Sequence, residues 1–230
     1  MKNYKYIFFD LDRTLWDFDA NASETLKQIL SVFKLEDSIK NVDEFIIYFH
    51  LYNDQLWDLF REGKIRKHSL RLERFKMLFQ RYKIEDKDLI ASVSRYYLNT
   101  APSKTALIAG AGDILLYLSQ KYKIYVISNG FYDVQLTKVI NSGISKYIAK
   151  IFTSDRIGFA KPDKRMYEYA VTSINARKAD CLMIGDDIKN DIVGAQNANI
   201  DQVFYNPEAM ECDVKATYEI RKLTDLKEIL

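Results

Sequence analysis

A chain of 230 residues, 48% apolar and 29% charged, has the make-up of an ordinary globular protein, long enough for one α/β domain or for a core carrying an insert. Its formal net charge of +2 is too small to drive binding to a nucleic-acid polymer or a membrane surface. Two cysteines, Cys181 and Cys212, exclude a disulfide framework; with no signal-like or long apolar span, the expected setting is the reducing cytoplasm.

The first predicted element is a buried strand at Tyr6-Ile7-Phe8-Phe9, a short apolar run ending abruptly in Asp10-Leu11-Asp12-Arg13-Thr14. Open α/β sheets bind ligands at the carboxyl ends of their strands. Two acids in close register there suit chemistry in which one attacks and the other moves protons, or in which both hold a hard cation. Residues from about 20 to 98 then carry helical spacing. Phe45, Tyr48, Phe49, Tyr52, Leu56, Leu59 and Phe60 form one apolar run, and Leu72, Phe75, Phe79 and Tyr82 form another. Gly63 stands between them as a hairpin turn, so this stretch predicts a small helical bundle.

Most of the glycine and proline comes after Gly110, and the grammar changes with it. Short strand-like runs at Ile124-Tyr125-Val126-Ile127, Ile151-Phe152, Leu182-Met183-Ile184 and Val203-Phe204 alternate with helical patterns. Those patterns run from Ile114 to Tyr122, Val134 to Asn141, Lys164 to Ile174 and Ile188 to Ala198. Alternation of this kind predicts a parallel sheet with helices on both faces. The strand at Tyr6 has no early partner and must rejoin that sheet, which makes the helical stretch an insertion just after a strand tip, where a lid belongs. The expected architecture is a Rossmann-like doubly wound α/β core, residues 1–15 and 99–230, with an inserted helical-bundle cap at 16–98. Cys181 is read as a small buried hydrophobe. His50 and His68 are read as packing or surface residues of the bundle.

Three later segments carry pointed chemistry. Ser128-Asn129-Gly130 offers a hydroxyl, an amide and a flexible backbone to an oxyanion. Lys161-Pro162 is predicted to open a helix, with the proline in its first turn. Gly185-Asp186-Asp187, with Asp191 following, suits hard-cation binding or helix capping. Asp10, Asp12, Asp186, Asp187 and Asp191 gathered at one sheet edge would repel one another, so they need a divalent cation and a lysine to coexist.

With those residues in place, the chain resembles the haloacid-dehalogenase-like phosphatase superfamily. Asp10-x-Asp12-x-Thr14 matches its first motif, Ser128 its second, Lys161-Pro162 its third, and Gly185-Asp186-Asp187 with Asp191 its fourth. The run from Asp10 to Trp16-Asp17-Phe18 is similar to the start of the pyrimidine-nucleotide 5′-nucleotidase subgroup. So are Leu56-Trp57, Phe60, Gly63, Ile65, Leu70 and Arg74-Phe75 in the bundle, and Phe204-Tyr205-Asn206-Pro207 after the last predicted strand. Arg13 and Asp155 depart from the pattern, standing where many relatives carry aspartate or glycine and glutamate respectively.

The resemblance implies an Mg²⁺-dependent phosphatase, with Mn²⁺ as a substitute, acting on a small phosphate ester such as a nucleotide. Asp10 would attack phosphorus, and Asp12 would serve as acid and then base. Thr14, Ser128, the Asn129 amide and Lys161 would bind phosphate oxygens. Asp10, the Asp12 carbonyl and Asp186 would hold the cation, with Asp187 and Asp191 as ligands or supports. Trp16, Phe18, Trp57 and Lys64 are candidates for substrate specificity. A sugar-phosphate phosphatase or mutase, a phosphonate-cleaving enzyme using Lys64 or Lys67, and a non-catalytic phosphate- or cation-binding domain stay open at this point. Oligomeric state is left open as well.

Overall fold

The computed structural model describes residues 2–230. Six parallel strands form one sheet: β1 (Tyr6–Phe9), β2 (Lys123–Ser128), β3 (Ile148–Thr153), β4 (Cys181–Gly185), β5 (Asp201–Tyr205) and β6 (Tyr218–Ile220), in the order β3-β2-β1-β4-β5-β6. The chain runs outward to β3 on one side of β1 and to β6 on the other. The topological switch therefore lies between β1 and β4, where doubly wound folds bind ligands.

Strand periodicity sorts the core. Ile7, Phe9, Ile124, Val126, Leu182, Ile184 and Val203 point to one face, and Phe8, Tyr125, Ile127 and Met183 to the other. The first face is covered by α5 (Ala111–Ser119) through Ala111, Ile114, Leu115 and Leu118, and by Val139 of α6 (Tyr132–Asn141). The second is covered by α8 (Lys164–Ser173) through Met166, Tyr167, Ala170 and Val171, and by Ala195 of α9 (Gly194–Asn197). With apolar residues filling both faces, truncating a fully buried one such as Phe8 to alanine should cost about 3–5 kcal/mol. Two short helices, α7 (Ser154–Ile157) and α10 (Leu226–Ile229), complete this part of the chain.

The chain divides into two compact units, Met1–Phe18 with Ser103–Leu230, and Asp19–Pro102. Nearly all of α1 (Phe18–Val32) and the whole of α2 (Val42–Arg61), α3 (Lys67–Arg81) and α4 (Lys87–Thr100) lie in the second unit. The Asn41 side chain caps α2 by accepting from Glu44 N at 3.0 Å, and Asp86 caps α4 by accepting from Asp88 N and Leu89 N. The α2–α3 turn passes through Gly63. Phe45 and Phe49 of α2 pack with Phe75 and Phe79 of α3, and Tyr97 of α4 joins them. Among the described residues no helix is long and apolar enough to cross a membrane.

Sequence reasoning missed one strand, and two of its expectations need correcting. Strand β6 carries no apolar run, because Glu219 alternates with Tyr218 and Ile220 over three residues. Lys161-Pro162 precedes helix α8 instead of opening it; Asp163 is the cap, accepting from Arg165 N at 2.9 Å. The helix expected from Ile188 to Ala198 begins as a wide π-helical turn over 188–193, a form found often at functional sites.

Candidate active site

The sheet itself assembles the site. Phe9 pairs with Val126 on one side and Ile184 on the other, and Asp10 N donates to Ile184 O at 2.9 Å. Asp10, Ser128 and Asp186 therefore leave three adjacent strands at nearly the same height. Beyond Asp10 the chain reverses sharply. Leu15 N and Trp16 N both donate to Leu11 O, with Arg13 held at a φ of 64°. That turn buries Thr14, whose hydroxyl donates to Asp186 Oδ1 at 2.6 Å.

Lys161 stands at the centre. Its ammonium lies 2.5 Å from Asp10 Oδ1, 2.6 Å from Asp191 Oδ1 and 3.0 Å from Ile127 O. Asp10, Asp186 and Asp191 each bring a carboxylate oxygen, all within 4.8 Å of one another. Burial, opposed by Lys161 and reinforced by Asp191 and Asp12, pushes the Asp10 carboxyl up to about 7. Burial and the Asp10 charge raise Asp186 to about 7, and burial raises Asp191 to about 6 against the pull of Lys161. Lys161 is held well above the usual lysine range because the charges of Asp10 and Asp191 outweigh its own burial. Once ionised, three carboxylates facing one ammonium leave two negative charges in excess. Clustered oxygen donors with that excess fit a hard divalent cation.

The π-helical turn brings Asp191 in. Asp187 caps it, accepting from Asn190 N at 2.9 Å and from the Asn190 side-chain amide, while the Tyr167 hydroxyl donates to Asn190 O at 2.5 Å. The approach is tight: a Cβ on residue 185 would sit 2.2 Å from Asp191 Oδ2, so only glycine fits there.

The expected gathering of five carboxylates thus contracts to three. The Asp12 carboxylate turns aside to Lys138 Nζ at 2.5 Å and Gln135 Nε2 at 2.9 Å, and Asp187 is occupied as a helix cap. The Asn129 side-chain amide is also committed. It donates to Lys161 O at 2.9 Å and accepts from Lys161 N at 2.8 Å, tying the second motif to the third instead of facing a ligand. The Ser128 hydroxyl oxygen accepts from Gly130 N at 3.0 Å and from Gln135 Nε2 at 2.6 Å.

Among the specificity candidates, Trp16 is a core residue: it is 1% exposed and donates its indole N–H to Lys104 O at 3.1 Å, so its ring is not offered to a base. Phe18 is half-buried beneath the Arg13 guanidinium, 4.8 Å from its ring centroid. In the helical unit Trp57 is half-buried edge-on to Phe60. Lys64 is exposed and pairs with Glu62 at 2.7 Å. That hydrogen bond raises its pKa, the opposite of what an imine-forming lysine requires.

Sequence reasoning missed Gln135, Lys138 and Tyr167. Gln135 and Lys138 lie three residues apart on the helix after Ser128 and so share a face, which was the available signal.

A doubly wound sheet whose switch point carries a carboxylate cluster and a buried lysine defines an α/β enzyme core with an oxygen-donor site. Residues 4–199 match the haloacid dehalogenase-like hydrolase family, and the chain belongs to it. The sequence is 34% identical to pyrimidine 5′-nucleotidase PynA of Streptococcus pneumoniae, over 99% of this chain and 95% of that one. It is 26% identical to pyrimidine 5′-nucleotidase YjjG of Escherichia coli, over 99% of this chain and 98% of that protein. The crystal structure of the HAD-hydrolase YfnB from Bacillus subtilis bound to magnesium superposes with a TM-score of 0.89 at 30% identity, covering 99% of each chain.

Proposed function

We propose that this hydrolase is a divalent-cation-dependent phosphomonoesterase, and that its substrate is a pyrimidine nucleoside 5′-monophosphate. The observation that carries the reaction is the Asp10 carboxylate at the tip of the central strand, ion-paired to buried Lys161, with Asp12 two residues on and held apart. The substrate class is supported by near full-length similarity to two pyrimidine 5′-nucleotidases.

In this reading Asp10 attacks phosphorus, forming an aspartyl phosphate as the ester P–O bond breaks. Asp12 gives its proton to the departing 5′-oxygen, then takes one from the water that hydrolyses the aspartyl phosphate, returning Asp10 and inorganic phosphate. Lys161 balances charge on Asp10 and the transferring group, and the Ser128 hydroxyl and Asn129 backbone N–H orient phosphate oxygens. Thr14 holds Asp186 in place by donating its hydroxyl to Oδ1. The carboxylates of Asp10, Asp186 and Asp191, with the Asp12 carbonyl, would hold Mg²⁺ or Mn²⁺, and Asp187 would support them by fixing the turn that bears Asp191. Such a cation supplies charge neutralisation to the phosphoryl oxygens and to the carboxylates themselves. Base recognition is assigned to Trp57 and Lys64 of the helical unit, with Phe18 a further candidate.

The test is Mg²⁺-dependent phosphate release from a panel of nucleoside monophosphates and sugar phosphates, with Asp10→Asn alongside. Pyrimidine monophosphates should be preferred, and the variant should lose at least about 10⁴-fold in kcat. Release from sugar phosphates alone would remove the nucleotidase assignment. Comparable rates for the variant and wild type would refute covalent catalysis by Asp10.

A further inference from the structure

Lys138 is a buried cation on α6, 6% exposed, to which the reaction above gives no task. Its ammonium lies 2.5 Å from Asp12 Oδ1 and 4.3 Å from the centroid of the Trp16 ring. The other Asp12 oxygen accepts from Gln135 Nε2 at 2.9 Å, and that same nitrogen donates to Ser128 Oγ at 2.6 Å. Gln135 is fully buried and pressed against the backbone, for a Cβ on residue 130 would lie 2.6 Å from its Nε2. Both oxygens of Asp12 are therefore gripped by adjacent side chains of one helix face, and the grip is tied to Ser128.

A carboxylate two residues from Asp10 would otherwise be drawn to whatever cation the neighbouring three carboxylates hold. A buried lysine is tolerated only when its charge is matched, and Asp12 is the carboxylate that matches this one among the described residues. The indole face of Trp16 adds a second, non-ionic restraint on the ammonium.

We infer that Lys138 and Gln135 are positioning residues for Asp12, keeping its carboxylate out of the Asp10–Asp186–Asp191 cluster and reserved for proton transfer. The inference rests on the proposed phosphatase reading, in which Asp12 gives a proton to the leaving oxygen as the P–O bond breaks. It separates substrates by their leaving group. An alkoxide, as from a nucleoside 5′-phosphate, needs that proton; p-nitrophenolate departs without one.

The experiment measures kcat/KM, which reports the first phosphoryl transfer, for the best nucleotide substrate and for p-nitrophenyl phosphate. Wild type, Lys138→Met, Lys138→Arg and Asp10→Asn are compared. Lys138→Met should lose about 10²-fold on the nucleotide and little on p-nitrophenyl phosphate. Lys138→Arg should recover most of the nucleotide rate. The ratio of the two substrates within one preparation is independent of how much of the variant is folded. Equal loss on both esters, no loss on either, or an arginine variant as impaired as the methionine one would overturn the inference. Asp10→Asn, silent on both esters where wild type is active, keeps the phosphatase reading standing whatever Lys138 does. A wild type silent on both esters would overturn the reading and the inference together.

Discussion

Both compact units bury a cation, and they treat it in opposite ways. In the sheet unit Lys161 is met by Asp10 and Asp191 at 2.5 and 2.6 Å. In the helical unit Arg74 is 5% exposed, yet no carboxylate among the described residues pairs with it. Its NH1 donates to Asn53 Oδ1 at 3.2 Å, and its guanidinium lies 4.5 Å from the Tyr97 ring centroid and 5.3 Å from that of Phe75. Burial lowers the Arg74 pKa to about 10, whereas the carboxylates hold Lys161 upward. The first arrangement concentrates charge that a ligand can use. The second spreads charge over aromatic faces and serves packing. A buried cation thus points to chemistry when carboxylates oppose it, and to packing when aromatic faces and an amide hold it.

The contrast is broken most forcefully by removing each cation. Lys161→Met leaves three carboxylates uncompensated and should cost about 3–5 kcal/mol in cation-free protein at pH 8, read from chemical denaturation. A loss below about 1 kcal/mol would mean that the carboxylates do not depend on Lys161.

The next effect is pH dependence. Asp10 and Asp186 rise on folding from 3.8 to about 7, so the folded state holds protons that the unfolded chain releases. For acids shifted upward the sign is a penalty at high pH: cation-free protein should melt at steadily lower temperature as pH climbs from about 4 to about 7. Mg²⁺ binding the ionised carboxylates should reverse that fall at pH 8. A melting temperature flat in pH and indifferent to Mg²⁺ would contradict it.

In the helical unit the expected effects are smaller. Trp57→Ala should raise KM for the preferred nucleotide about tenfold while kcat changes less, since stacking on one ring contributes little more than 1 kcal/mol. An equal fall in kcat would place Trp57 in the chemistry. Smallest of all, Arg74→Met should shift stability by less than about 1.5 kcal/mol, because a similar apolar volume replaces a charge held by one amide. A loss of 3 kcal/mol or more, the cost of breaking a buried pair, would make Arg74 the counterpart of Lys161 after all.

Much of this contrast was legible beforehand. The Tyr6–Phe9, Ile124–Ile127 and Leu182–Ile184 runs read as strands because a strand buried on both faces has no polar position. Asp10, Ser128, Lys161 and Asp186 were legible only jointly: each alone suits a loop, turn, surface or cap, but together at strand ends their chemistry is complementary. The division of labour among the aspartates was not. Whether a carboxylate joins a cluster, caps a turn as Asp187 does or pairs sideways as Asp12 does depends on partners far away in sequence. Lys138 and Gln135 were hidden because polar residues on an amphipathic helix read as its wet face. Trp16 was misjudged because an aromatic beside a motif looks available until the turn around Leu11 folds it inward.

The place of β1 in the sheet has a consequence for synthesis. Its partners begin at Lys123 on one edge and Cys181 on the other, so the first strand emerges from the ribosome long before either neighbour exists. The helices of residues 19–102, built from local contacts, are complete in that interval and can fold while β1 waits. Asp10 is thus made well before the residues that surround it, and its carboxylate neighbours are complete only when Asp191 has left the exit tunnel.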